Sequence, residues 1–139
     1  MSNAIYPKWK EAIMQASANS ALNGSGTTGV YAALIDTGTV SYNAAHQYFS
    51  DVVAGQVGSE VEIGATKTYT NGVFDGADVT FTSVSGNSAE AIVLFVKNAG
   101  DNTTWRLFAW LDTNITNLPV TPNGGNIAVA WNGSGILGL

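Results

Sequence analysis

The chain contains no cysteine. That excludes disulfide bonds, thiolate zinc sites, iron–sulfur ligation and cysteine nucleophiles, and leaves packing or assembly to stabilise the fold. Charge is scarce as well: Asp, Glu, Lys and Arg make up 11% of the residues, against about 25% in a typical soluble domain. The polar positions are filled by Gly, Thr, Asn and Ser, so the exterior is largely neutral, with little long-range repulsion to keep molecules apart. The five cations, Lys8, Lys10, Lys67, Lys97 and Arg106, form no run, and the net charge is −5. Binding to a phosphate backbone draws on clustered Lys and Arg, so no direct nucleic-acid role is expected.

Long apolar runs are missing too. No segment approaches the roughly 18–20 apolar residues of a membrane-spanning helix, and MSNAIYPKWKEAIM lacks the basic start and apolar stretch of a secretory signal. The expectation is synthesis in the cytoplasm with no membrane partner. Four Asn-X-Ser/Thr triplets, at Asn23, Asn102, Asn114 and Asn132, carry no meaning without export.

What is present is a core. Apolar residues form 45% of a 139-residue chain, a length that suits one domain. The first twenty residues are expected to be helical: Pro7 fits a first-turn position, and Trp9, Ile13 and Ala16 recur at helical spacing. ANSALNGSGTTG then stops the helix and forms a loop. From residue 29 to 139 the pattern is that of a β domain. VYAALID (30–36) and AEAIVLFVK (89–97) are compact apolar runs expected as well-covered strands. Alternation in EVEIGATKTYTNGVF (60–74), with Val61, Ile63 and Ala65 on one register, predicts further strands around an Asn71–Gly72 turn. DVTFTSV (78–84), TWRLFAWLD (104–112) and NIAVAW (126–131) add others. In the 104–112 strand, Trp105 falls on the expected core register, while Phe108 and Trp110 need cover from elsewhere. Within SYNAAHQYFSDV (41–52), Ala44, Ala45, Tyr48, Phe49 and Val52 lie at spacings of three and four, which predicts a short helix capped by Ser41 or Asn43. The fold class is therefore mainly β: a single-domain antiparallel β-sandwich or distorted barrel with an N-terminal helix and a short inserted helix.

Catalytic constellations are hard to assemble. His46, the single histidine, can be combined on paper with Ser50 and Asp51. All three lie within six residues, however, and a triad needs its partners on opposite nitrogens of one ring. One histidine and no cysteine exclude ordinary structural zinc. NGVFDGAD places Asp75 and Asp78 three apart but lacks the EF-hand framework, and turn hydrogen bonding is the simpler role. Glu60 and Glu62 share a strand face without any sign of a cleft. Asp36–Thr37 and Asp112–Thr113 both close an apolar strand, where a short acid and a hydroxyl serve a turn. No enzymatic activity and no cofactor are expected. The aromatic residues, including Trp9, Trp105, Trp110, Trp131, Tyr42, Tyr48 and Tyr69, suit either sugar stacking or buried protein contacts.

The segments AIYPKWKEAIM, VYAALIDTGTVSYNAAHQYFSDV, KTYTNGVFDGADVTFTSVSGNSAEAIVLF and LPVTPNGGNIAVAWNGSGIL together resemble a family of small virion-associated proteins of tailed bacteriophages. The resemblance covers nearly the whole chain and departs from the family in the short NAGDNTTW loop. It implies a structural virion protein on the capsid surface: a decoration or cement protein that binds the major capsid protein, stabilises the lattice and assembles as a homotrimer. The alternative is a tail-associated or host-glycan-binding module of the particle. Tyr6, Trp9 and Ile13, with Tyr42, His46, Tyr48 and Phe49, are the expected contact residues, unless they pack on the chain's own sheet.

Overall fold

The computed structural model describes residues 3–64 and 66–139. Its centre is a five-stranded antiparallel sheet in the order β1 (Ala4–Ile5), β8 (Arg106–Leu111), β7 (Ala91–Val96), β2 (Val30–Ile35), β3 (Gln56–Glu62). Every residue of β7 and β8 is buried. Near-continuous apolar runs such as AIVLFV have this meaning, since a strand with one wet face would alternate. The chain is mainly β, with antiparallel sheets and one α-helix near the N-terminus, in a β-sandwich-like arrangement.

Different elements cover the two faces of the central sheet. On one face, the register places Tyr6, Trp110, Val93 and Phe95 together, and the 40–55 segment lies over them. On the other, Ile5, Ala109 and Leu111 share a groove with Ile136 and Leu137. Leu137 belongs to β10 (Leu137–Gly138), which pairs with β5 (Val73–Gly76) and through it with β4 (Lys67–Thr68). A two-stranded ribbon, β6 (Val79–Phe81) with β9 (Ile127–Val129), adds Val79, Phe81 and Val129 to the same core.

The helix α1 spans Pro7–Met14, with Pro7 in its first turn as the sequence suggests. It takes eight of the first twenty residues. Ala4 and Ile5 are drawn into β1 by pairing with Trp110 and Ala109, and Ala16 takes a left-handed conformation that closes the last turn. The Asn71–Gly72 step behaves as its sequence predicts: both residues have positive φ, joining β4 to β5. Val61 and Ile63 are described, whereas Ala65, expected on their register, lies outside the described residues.

A bulge in β8 alters the expected register. Phe95 opposes Leu107 and Leu94 opposes Ala109, which leaves Phe108 as the extra residue. Phe108 meets Trp9 of α1 at 5.5 Å between ring centroids and Phe74 of β5 at 5.9 Å. Trp105, expected in the core, is instead partly buried at the rim, where its Nε1 donates to the Gly100 carbonyl.

Candidate functional site

The SYNAAHQYFSDV segment does not form an α-helix. It makes an Asn43-led turn, a short β-bridge and a 3₁₀ turn, Phe49–Asp51, and a second 3₁₀ turn, Val53–Gly55, follows it. Its backbone donors go elsewhere. Asp51 Oδ2 accepts the N–H groups of Gln47 and Tyr48 at 2.8 and 3.0 Å, while Phe49 N donates to Trp105 and Leu107 N donates to Gln47. Once these groups pair with the start of β8, no helical ladder is left for them. The spacing of three and four, read as a helix face, is met by a 3₁₀ turn whose apolar side faces the sheet.

This geometry places the expected contact residues. Phe49 is buried and stacks on Phe95, with ring centroids 4.3 Å apart, and Val52 is buried beside it in the core. Tyr6 is wholly buried, 5.3 Å from the Tyr42 ring. Burial, then the neighbouring Tyr42 and Asp51, holds the Tyr6 phenol protonated well above its usual range. Trp9 is buried, with Nε1 donating to the Ser20 carbonyl at 2.8 Å. The chain's own sheet thus covers Tyr6, Trp9 and Phe49. Ile13, Tyr42, His46 and Tyr48 are half-buried and keep part of their surface at the exterior.

The most prominent concave feature lies on the opposite side, between α1 and the small β4–β5–β10 sheet. It is a groove of about 470 Å³ whose apolar lining includes Trp9, Ile13, Leu22, Val73, Phe74 and Leu137. Among the described residues no charged side chain lines it. Tyr69 and Leu139, also in the lining, are 47% and 70% exposed, and Met14, next to Ile13, is 78% exposed. Of the residues singled out in the sequence, Trp9, Ile13 and Tyr69 line it. The remaining walls come from isolated apolar residues in polar stretches, which carry no periodic signal.

The carboxylates weighed for chemistry are engaged in loops. Asp75 accepts from the Gly76 N–H, and Asp78 from the Trp131 N–H at 2.9 Å. Glu62 accepts from the Gly26 N–H, and Glu60 pairs with Lys97 at 3.0 Å. Asp36 Oδ1 accepts from the Gly38 N–H and Oδ2 from Thr39 Oγ1 and Asn87 Nδ2; these bonds hold its carboxyl below the usual range. Among the described residues no hydrogen bond joins His46 to Ser50 or Asp51, and no group of three His, Asp or Glu side chains is placed to hold a metal ion. Among the described residues, three buried polar side-chain atoms have no hydrogen-bond partner: Tyr6 Oη, His46 Nδ1 and Arg106 Nε. Arg106 Nη2 donates to the Ala18 carbonyl, and the guanidinium lies 5.4 Å from the Tyr48 ring.

In comparisons with family models, curated proteins and solved structures, nothing matches the chain.

Proposed function

We propose that the protein is structural and acts by docking, as a decoration or cement protein that binds the major capsid protein on the surface of a tailed-phage particle and stabilises the lattice. The partner's identity comes from the resemblance to virion-associated proteins. The observation that carries a docking role is the uncharged apolar groove flanked by exposed Met14, Tyr69 and Leu139. Solvent-exposed apolar side chains gathered around a concave apolar surface favour association with another protein. The sparse charge of the chain fits the same role, since little electrostatic work opposes close approach. In this reading Ile13 stays in the contact surface, Trp9 forms part of the groove wall, and Tyr6 and Phe49 belong to the core.

The test is localisation and protection. Purified particles should carry the protein in proportion to the major capsid protein, and adding it to particles that lack it should raise their resistance to heat or denaturant. Met14→Glu places a charge at the edge of the groove and should lower occupancy without unfolding the domain. A copy number matching a tail structure, or unchanged particle stability on addition, would overturn the capsid assignment.

A further inference from the structure

A second groove, of about 250 Å³, lies at the end of the central sheet where β2 and β8 finish and β7 begins. It is lined by Thr37, Ser41, Tyr42, Glu90, Trp110 and Asp112. We infer that it is a binding subsite for a single neutral sugar ring, an inference independent of the capsid reading.

The groove combines three kinds of chemistry. First, it has aromatic surface: Tyr42 is held between Tyr6, at 5.3 Å, and Trp110, at 6.2 Å, which fixes its ring at the groove wall. Second, it has oriented acceptors. Glu90 Oε1 accepts from both N and Oγ1 of Thr37 at 2.9 Å, and Asp112 Oδ2 accepts from Trp110 Nε1 at 2.9 Å while Oδ1 accepts from Thr113. A carboxylate has about four lone-pair sites, so both keep acceptor capacity, and neither is in an ion pair among the described residues. Burial pulls the Glu90 carboxyl upward, but hydrogen bonds from Ser88 and Thr37 outweigh it and keep the group ionised. Third, it has open hydroxyls: Ser41 Oγ and Tyr42 Oη make no hydrogen bond among the described residues.

Acceptors alone would suit a cation. Open hydroxyl donors beside them, against an aromatic ring, suit a ligand that both donates and accepts hydrogen bonds and has an apolar face, as a pyranose does. Size narrows the choice further, since the volume is below the roughly 300 Å³ at which pockets for drug-sized ligands begin. One ring fits, and a longer glycan would extend into solvent.

The experiment is a titration of the ¹⁵N-labelled full chain with methyl glycosides of glucose, galactose, mannose and N-acetylglucosamine, with methylguanidinium as the cationic comparison. At least one glycoside should give saturable amide shifts centred on residues 37, 41, 42, 90 and 112. Asp112→Asn should weaken that binding about tenfold, as expected for the loss of a charged acceptor. Ser41→Ala, at an exposed side chain with no internal hydrogen bond, should weaken it without disturbing the fold. The assignment is overturned if no glycoside gives saturable shifts, if both variants bind as the parent does, or if methylguanidinium binds at these residues and the glycosides do not.

Discussion

Phe49 lies nearly flat on Phe95, with ring centroids 4.3 Å apart and planes inclined by 18°. Trp105 packs beside both rings, 5.9 Å from Phe49 and 5.8 Å from Phe95. The 41–52 segment is therefore a cover for the central sheet, clamped by side-chain stacking and by the Phe49 N–H bond to the Trp105 carbonyl. Phe49→Ala should cost about 3–5 kcal/mol, the usual range for emptying a buried aromatic site. Tyr48→Ala, at a half-buried ring one residue earlier, should cost far less. Urea unfolding of the two variants measures the difference, and equal losses would mean that Phe49 does not anchor the segment.

Trp9 separates a core role from a direct partner contact. It is 2% exposed, packs on Phe108 and donates to the Ser20 carbonyl, which ties the loop after α1 to the helix. Trp9→Phe keeps an aromatic ring but leaves the Ser20 carbonyl without this donor, and should cost about 1–3 kcal/mol. Trp9→Ala should cost about 3–5 kcal/mol. A thermal melt of each decides the matter: an unchanged midpoint for Trp9→Ala would show that the indole contributes nothing to the fold.

The strands were legible where burial leaves a continuous mark. VYAALI and AIVLFV are apolar throughout because both faces of β2 and β7 are covered, and Asn71–Gly72 marked a turn through its tolerance of positive φ. Local spacing failed at 41–52 because the Asp51 carboxylate takes the Gln47 and Tyr48 donors and carbonyls distant in sequence, of Trp105 and Asn102, take those of Phe49 and Ser50. It failed again at Trp105, which stands one residue before β8 and is only partly buried, whereas the cover that Phe108 needed is supplied by Trp9 of α1 and Phe74 of β5. Both grooves escaped notice for the same reason. Leu22, Val73 and Leu137, or Thr37, Glu90 and Asp112, come together only through sheet topology.

Gly135 and Gly133, two residues apart, should respond differently to the same substitution. Gly135 has φ of +111°, and a Cβ built there would overlap Val73 Cγ1, a side chain held within β5. Gly133 has open space around its Cβ direction. Gly135→Ala should destabilise by about 1–3 kcal/mol through backbone strain and steric displacement. Gly133→Ala should lie within about 0.5 kcal/mol of the parent, as surface substitutions do. Matched melting temperatures for the two variants would rule out a close approach of the C-terminal segment to β5.

Lys97 links two kinds of interaction, and pH separates them. Its Nζ lies 3.0 Å from Glu60 Oε1 and sits 4.8 and 4.5 Å from the ring centroids of Tyr31 and Trp105. Burial raises the affinity of Glu60 for a proton, but hydrogen bonds from Lys97 and Gln56, with the charge of Lys97, outweigh it and leave the carboxyl below its usual range. A depressed carboxyl contributes stability that is fully present above its unfolded pKa of about 4.3 and is lost as pH falls through the lower folded value. The ring contacts do not depend on that carboxyl. Lys97→Met should therefore cost about 1–2 kcal/mol near neutrality, from the ion pair and the cation–π contacts together. At about pH 3 the deficit should narrow towards the cation–π share of about 0.5–1 kcal/mol. Urea unfolding of parent and variant at the two pH values gives both numbers. A deficit that stays constant would assign the whole effect to the rings, and one that vanishes would assign it to Glu60.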